Sequence, residues 1–311
     1  MALTIEQVKA LWNSRLAVLE PEIIRPLTNY YWTRDLPVEE DLDKVANVIS
    51  LRSIKGVAQG TKEMGGMSWL GTISNDLKGV DYEMDAQAAR VFTAGRETRV
   101  SNMELELAAK TEDINVNTEQ LELVNDRFQQ EAQQVAYLGD KNYDFQGLLN
   151  NSDIKKGAAA TALATTGDGK WDAVCKAVDS YFDQAYKNAN QVIMPNTMLL
   201  SPSTYVDLFS LKAPDDRHFS MIDYIEKESL GRKIAGSMTV YQVKELSKIG
   251  TASKDRILLY TKSRDYLRFH VRSVWREKSY DDALDYCQAY LWRLAEIQLR
   301  RPETLMYFDG I

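Results

Sequence analysis

The chain has 311 residues, 44% hydrophobic and 10% aromatic, enough apolar material for one large domain or two ordinary ones with real cores. Its 38 basic and 45 acidic residues are interspersed and leave a formal charge of −7, so no basic face of the kind that identifies a nucleic-acid reader is expected. Two cysteines, Cys175 and Cys287, and two histidines, His218 and His270, point to reduced core thiols and leave a zinc site almost without ligands.

No run of about 18 or more apolar residues occurs, and the opening MALTIEQVKALW lacks the basic stretch, apolar centre and small-residue cleavage site of a secretory leader. A soluble cytosolic chain with no membrane partner is the expectation. Thr4 and Gln7 form a capping pair, and Val8, Leu11, Trp12, Leu16 and Leu19 make one helical stripe that ends at Pro21. The stretch EIIRPLTNYYWTRDLP then holds two prolines and no sustained period. It reads as an extended arm whose Tyr30, Tyr31 and Trp32 land either on the chain's own core or on a neighbouring subunit.

From Ser50 to Gly79 six glycines alternate with Thr, Ile, Val and Trp, which predicts a long two-stranded excursion. Such a hairpin is marginal alone in water, and its Met64, Met67, Trp69 and Leu70 form an apolar patch in need of a partner. Ser101 with Glu104, and Asn117 with Gln120, are capping boxes. The second precedes Leu121, Val124, Phe128, Ala132, Val135 and Leu138 at helical spacing, a helix over 118–138 that spans roughly 30 Å and stops at Gly139.

The next stretch, GDKNYDFQGLLN, carries Asp140, Asn142 and Asp144 at the spacing that opens a calcium loop. The sixth and twelfth positions of that loop require Gly and Glu, and this chain has Phe145 and Asn151 there. It therefore reads as a solvated turn after which Gly147 lets Leu148 and Leu149 re-enter a core. The Gly/Ala-rich connection that follows ends in GDGKWD, where a phosphate loop would need Gly and Ser or Thr and the chain has Ala164 and Trp171. Beyond it the pattern predicts a helix over 171–188, a buried strand at Met198–Leu200, a helix capped by Ser201 with Pro202 at its first position, and a helix near 219–228. MTVYQV, RILLYT, YLRFHVRSV, YCQAYLWRLAEIQL and RRPETLMYFDGI follow as strands. Helices on largely antiparallel sheets make an α+β protein.

No chemistry gathers in this pattern. Neither His218, in a polar loop, nor His270, in an alternating strand, is brought to a nucleophile. The acid pairs Glu39 and Glu40, Asp215 and Asp216, and Asp281 and Asp282 fall in polar turns, without the burial that separates the pKa values of catalytic carboxylates. No catalytic residue, metal or cofactor is expected, and the chain reads as a self-assembling protein rather than an enzyme.

The order of parts, with Gly139-Asp140, Gly147-Leu148-Leu149-Asn150, MPNTMLLSPSTY over 194–205 and the closing segment from Arg300 or Arg301 to Ile311, resembles the tailed-bacteriophage major capsid proteins with the Hong Kong 97-type fold. The resemblance implies an N-terminal arm over 1–49, an extended loop over 50–79, a peripheral domain with the spine helix over 80–150, and an axial domain over 151–248. Return strands over 249–311 would be partly axial and then peripheral. It implies pentamers and hexamers of an icosahedral virion shell around double-stranded DNA, with weak non-specific DNA contact, assembled in the host cytoplasm. Scaffolding, portal and decoration proteins are the implied partners. Tyr31, Trp32, Met64, Met67, Trp69 and Leu70 would be buried between subunits. An encapsulin-like compartment shares this fold, and an enzyme built from dispersed acids and tyrosines is the reading from another class.

Overall fold

The computed structural model describes residues 28–45, 47–58, 80–101, 116–158, 170–214 and 218–310. Contacts divide the chain into two units, Met1–Tyr30 and Tyr31–Ile311, and every element below belongs to the second. The expected helix at 4–19, the hairpin end at 59–79 with Met64, Met67, Trp69 and Leu70, and the short helix after Ser101 lie outside the described residues. No described helix is long and apolar enough to cross a membrane.

A helical turn α1 (Trp32–Asp35) leads into the short strand β1 (Val38–Glu39) and then β2 (Val48–Ala58). β2 pairs antiparallel with β3 (Val80–Ser101), from Val48 opposite Arg90 to Ala58 opposite Val80. The predicted two-stranded excursion is present, beginning at Val48 and returning as far as Arg90. From Val91 onward β3 changes partner and pairs with β9 (Asp285–Ala295), which pairs in turn with β8 (Leu267–Asp282). The first sheet runs β1-β8-β9-β3-β2, and the short β10 (Gln298–Leu299) also pairs with β8.

The long helix α2 (Val116–Leu138) packs on β8 and β9. It starts before Asn117, which therefore stands in its first turn and is not its cap; an Asn-x-x-Gln spacing does not by itself locate where helical hydrogen bonding begins. Val124, Phe128, Ala132, Ala136 and Tyr137 form its buried stripe, with Tyr137 rather than Leu138 completing the inner face. Gly139 ends the helix at φ +70°, and a Cβ there would stand 2.1 Å from the Phe145 carbonyl oxygen.

The G-L-L-N stretch caps this helix from outside. A helix leaves its last carbonyls without intrahelical partners, and here Leu148 N–H donates to Ala136 O at 2.9 Å, Leu149 N–H to Tyr137 O at 2.9 Å, and the Asn150 amide to Leu138 O at 2.7 Å. Asn150 Oδ1 accepts from Gly147 N–H at 2.7 Å, closing the loop on itself. Gly147 leaves room for the close approach to Tyr137, Leu148 and Leu149 bury their side chains while their backbone N–H groups cap the helix, and Asn150 supplies both a donor and an acceptor.

The second sheet runs β4-β11-β7-β5-β6, formed by β4 (Lys155–Lys156), β5 (Thr197–Leu200), β6 (Thr239–Gln242), β7 (Arg256–Tyr260) and β11 (Leu305–Asp309). β5, β7 and β11 are buried at every residue, as strands covered on both faces must be. On one face Met198, Leu200, Ile257, Leu259, Met306 and Phe308 pack with α3 (Lys170–Asn188), α4 (Pro202–Ser210) and α5 (Met221–Lys227). On the other, Tyr260 donates its hydroxyl to Asp35 O and Tyr307 to Leu148 O. Ser201 caps α4 with Pro202 at its first position, as predicted. The closing strand β11 pairs with β7 and β4; its five consecutive buried residues require a position with sheet and cover on both sides.

Two glycine substitutions separate packing from backbone strain. A Cβ at Gly147 would stand 2.4 Å from the Tyr137 carbonyl group, whereas one at Gly236 (φ +79°), the residue after α6 (Leu230–Ala235), meets nothing within 4 Å. Gly147→Ala should cost about 3 kcal/mol by overpacking and Gly236→Ala only the ~1 kcal/mol of left-handed strain. Thermal unfolding followed by circular dichroism should place Gly147→Ala well below Gly236→Ala; equal losses would contradict the capping role.

Candidate assembly surface

The arm's end is fastened inside its own chain. Trp32 is 2% exposed; its indole N–H donates to Gln129 Oε1 at 2.8 Å and its ring meets Phe128 and Phe269 edge-on at 6.3 and 5.7 Å. Tyr31 N–H donates to Gln133 Oε1 at 3.2 Å, and the Tyr31 hydroxyl donates to Glu245. Burial and then the Glu245 carboxylate push that phenol well above its ordinary pKa. Asp35, fully buried, accepts from the Tyr137 hydroxyl at 2.5 Å and from Arg34 Nε at 2.6 Å. The resemblance implies inter-subunit contacts for Tyr31 and Trp32; within the chain, α2 supplies Gln129 to the Trp32 indole N–H and Gln133 to the Tyr31 backbone N–H, and the Tyr31 hydroxyl goes to Glu245.

The exposed apolar side chains lie elsewhere. Val45 and Val48 stand at the base of the hairpin, Tyr280 and Leu284 at the β8–β9 turn, Val206 and Phe209 on the outer side of α4, and Ile234 on α6. Sequence reasoning missed Val206 and Phe209, although their offset from the buried Thr204 and Leu208 carried the signal. Single exposed apolar residues are ordinary; one pair stands at or just before the start of β2 and the other at the β8–β9 turn.

Beside the hairpin base a groove of about 570 Å³ opens between β3, α2 and the turn at 140–145. Phe92 stacks with Tyr143 and Phe145 at 4.7 and 4.8 Å, and Glu131 holds Arg96 and Arg127 at 3.1 Å each. The turn that resembled a calcium loop braces this corner. The Asp140 carboxylate accepts from Asn142 N–H at 2.9 Å, and the Asp144 carbonyl accepts from Arg90 Nη2 at 2.6 Å. Among the described residues no group of three or more His, Cys, Asp or Glu could hold a metal ion.

The histidines and the described acid pairs take structural or solvated positions, while Asp215 and Asp216 lie outside the described residues. His270 is buried between Asp41 Oδ1 at 2.7 Å and Gln298 Oε1 at 3.4 Å, and its hydrogen bonds among the described residues go to no nucleophile. Glu40, Asp281 and Asp282 are exposed. Ser201 and Ser203 bond Asp255 without a histidine, an arrangement that fixes the start of α4.

The second sheet is closed by a buried ion pair. Arg256 Nε and Nη2 donate to Asp309 at 2.5 and 2.9 Å, Nη1 donates to Leu149 O at 2.5 Å, and the guanidinium lies 4.3 Å from the Tyr307 ring centre. Burial alone would raise the Asp309 carboxyl, but the bonds from Arg256 and Thr251 overcome it and hold the group down at about 2.

A hairpin that projects from one sheet, a long helix laid on that sheet, and a second helix-covered sheet that receives the last strand define the Hong Kong 97-type capsid fold. The chain belongs to the major capsid protein family, whose model matches residues 65–311; it is a structural protein of a phage-type shell. Its fold is similar to the capsid of Myoviridae phage XM1, at TM-score 0.75 and 14% identity over 96% of this chain and 98% of that one. It is also similar to the capsid of a native GTA particle, at TM-score 0.58 and 12% identity over 94% and 96%, and to Mycobacterium phage Bobi, at 0.56 and 14% over the whole of both chains. No curated protein matches the sequence.

Arg256→Met should cost about 3 kcal/mol, because it removes the bidentate partner of a buried carboxylate and leaves Asp309 with only Lys156 at 3.5 Å and the Thr251 bonds. A carboxyl held below its ordinary value binds its proton more readily in the unfolded chain. Its contribution is complete above about pH 4 and lost as the pH falls toward 2. Asp309→Asn should therefore flatten the acid limb of the unfolding midpoint against pH; a limb of unchanged slope would contradict the assignment.

Proposed function

We propose that this major capsid protein assembles into pentamers and hexamers that close an icosahedral shell around double-stranded DNA. The observation that carries the reading is the hairpin. Over 48–58 and 80–90 its strands pair, among the described residues, only with each other, and a two-stranded ribbon is marginal in water. Laid across an adjacent subunit, the ribbon would bury Met64, Met67, Trp69 and Leu70, so the hydrophobic effect that folds the chain also drives its assembly.

In this reading the first sheet with α2 is the peripheral domain, and the second sheet with α3 is the axial domain that meets its copies around each capsomer centre. Assembly takes place in the host cytoplasm with scaffolding and portal proteins as partners, and a decoration protein is a further one. The DNA contact is weak and non-specific, since a chain of net charge −7 has only local basic surface to offer.

Negative-stain electron microscopy beside light-scattering mass, on the protein expressed alone and with its scaffold, tests the reading. Closed shells, or rings of five and six, are the expected outcome. A single-chain mass at high concentration in both preparations would overturn it.

A further inference from the structure

β10 lies antiparallel on the start of β8, with Gln298 opposite Arg268 and Leu299 opposite Leu267. The pairing runs on into the turns: the Tyr266 carbonyl accepts from Arg300 N–H at 2.9 Å and from Arg301 N–H at 3.4 Å. Two distant segments are thereby held side by side, and they carry Lys262, Arg264, Arg268, Arg300 and Arg301. Tyr266 sits half-buried among them.

The acids nearby do not cancel this charge. Arg264 faces Glu39 at 3.3 Å and Arg301 faces Glu303 at 3.8 Å, pairs in which the arginines are 67% and 61% exposed and the attraction is weak. Lys262, Arg268 and Arg300 have no ion pair with a described carboxylate; Lys262 Nζ donates to the Arg34 carbonyl and Arg268 Nε to the Arg264 carbonyl at 2.7 Å. Five bases stand against Glu39, Asp265 and Glu303, a local excess of two on a chain whose net charge is −7.

We propose that this patch is where the shell protein meets the phosphate backbone of double-stranded DNA. The proposal rests on the shell reading above and gives its DNA contact an address. Guanidinium groups match phosphate oxygens with paired donors, and phosphate contacts need no base edges and carry no sequence information. A contact between copies would look different. The core of a protein interface is depleted of charge and rich in apolar and aromatic groups, whereas none of the exposed large apolar side chains among the described residues falls on 261–268 or 298–303. The backbone pairing keeps the patch in place without DNA, and its small net charge keeps the contact weak and labile to salt.

The test compares three unassembled proteins: the unmodified chain, the patch variant K262Q/R264Q/R300Q/R301Q, and the control K141Q/K176Q/K233Q/K278Q, which removes four exposed lysines elsewhere. Anisotropy of a labelled duplex of about 30 base pairs is followed from about 50 to 200 mM salt, where each phosphate contact contributes roughly 0.9 to the slope of log K against log salt. Thermal midpoints and particle formation are measured on all three. The patch variant should bind about tenfold or more weakly at low salt, with a slope shallower by about 2 or more, while folding and assembling like the control. Equal binding by patch and control variants would overturn the proposal, as would an unmodified chain that assembles but binds no duplex at low salt. A patch variant that binds DNA normally but fails to assemble would also overturn it, by assigning the patch to a contact between copies. Failure of the unmodified chain to assemble even with its scaffold would count against the shell reading instead.

Discussion

One uninterrupted strand sets the constraint on which the rest depends. β3 spans 22 residues and serves two ladders in succession. Up to Arg90 it belongs to the hairpin, and from Val91 it pairs with β9 of the first sheet. The hairpin therefore leaves the body as a direct continuation of a strand that is laddered to β9 and buried at Val91 and Val100. Its root is pinned from several sides: Val91 N–H donates to Asn47 O at 3.0 Å, Glu296 N–H to Arg90 O at 2.9 Å, and the Arg90 guanidinium reaches the Asp144 carbonyl. Direction is fixed at the root, and what lies beyond it must find its stabilisation outside the ladder.

The body resists the leverage because its two sheets are tied to α2 by different means. The first sheet takes the apolar stripe, with Trp292 and Phe269 fully buried and Phe128 6.2 Å from Trp292. The second sheet takes the helix end, through Leu148 and Leu149 on its outer face and the Arg256–Asp309 pair beside them. The strap from Tyr31 to Pro37 crosses between them, bonded to α2 by Trp32 and Tyr31, to β7 by the Asp35 carbonyl, and to β8 by the Pro37 carbonyl. A shell subunit must transmit force between neighbours without coming apart, and polar bonds buried in a low-dielectric interior are costly to break one at a time.

The sequence made the local elements legible because local rules govern them. The stripe of α2, the Gly139 stop, the Ser201-Pro202 start and the all-apolar RILLY strand each follow from a few neighbouring residues. What escaped was long-range pairing. Nothing near Leu305–Asp309 says that its partners are β7 and the two-residue β4, and nothing in YYWTRD says that Gln129 and Gln133 lie a helical turn apart to receive it. The same holds for the basic patch, whose members look solvated until β10 brings Arg300 and Arg301 beside Tyr266. The calcium-like spacing, set aside for want of its Gly and Glu, has another use: the Asp140 carboxylate closes the turn on Asn142 N–H and the Asp144 carbonyl braces the hairpin root through Arg90, tasks that leave no mark on ligand spacing.

The central claim is that the hairpin is an ordered root whose outer part is stabilised by the next subunit. Hydrogen–deuterium exchange of amides over 48–58 and 80–90, compared between assembled particles and unassembled protein, addresses it most directly. The account predicts that amides near Val48 and Arg90 are protected in both states, while those toward Ala58 and Val80 gain protection of tenfold or more only on assembly. Equal protection of the whole ribbon in the unassembled chain and the particle would contradict it, because a hairpin that is already stable alone has no need of a neighbour.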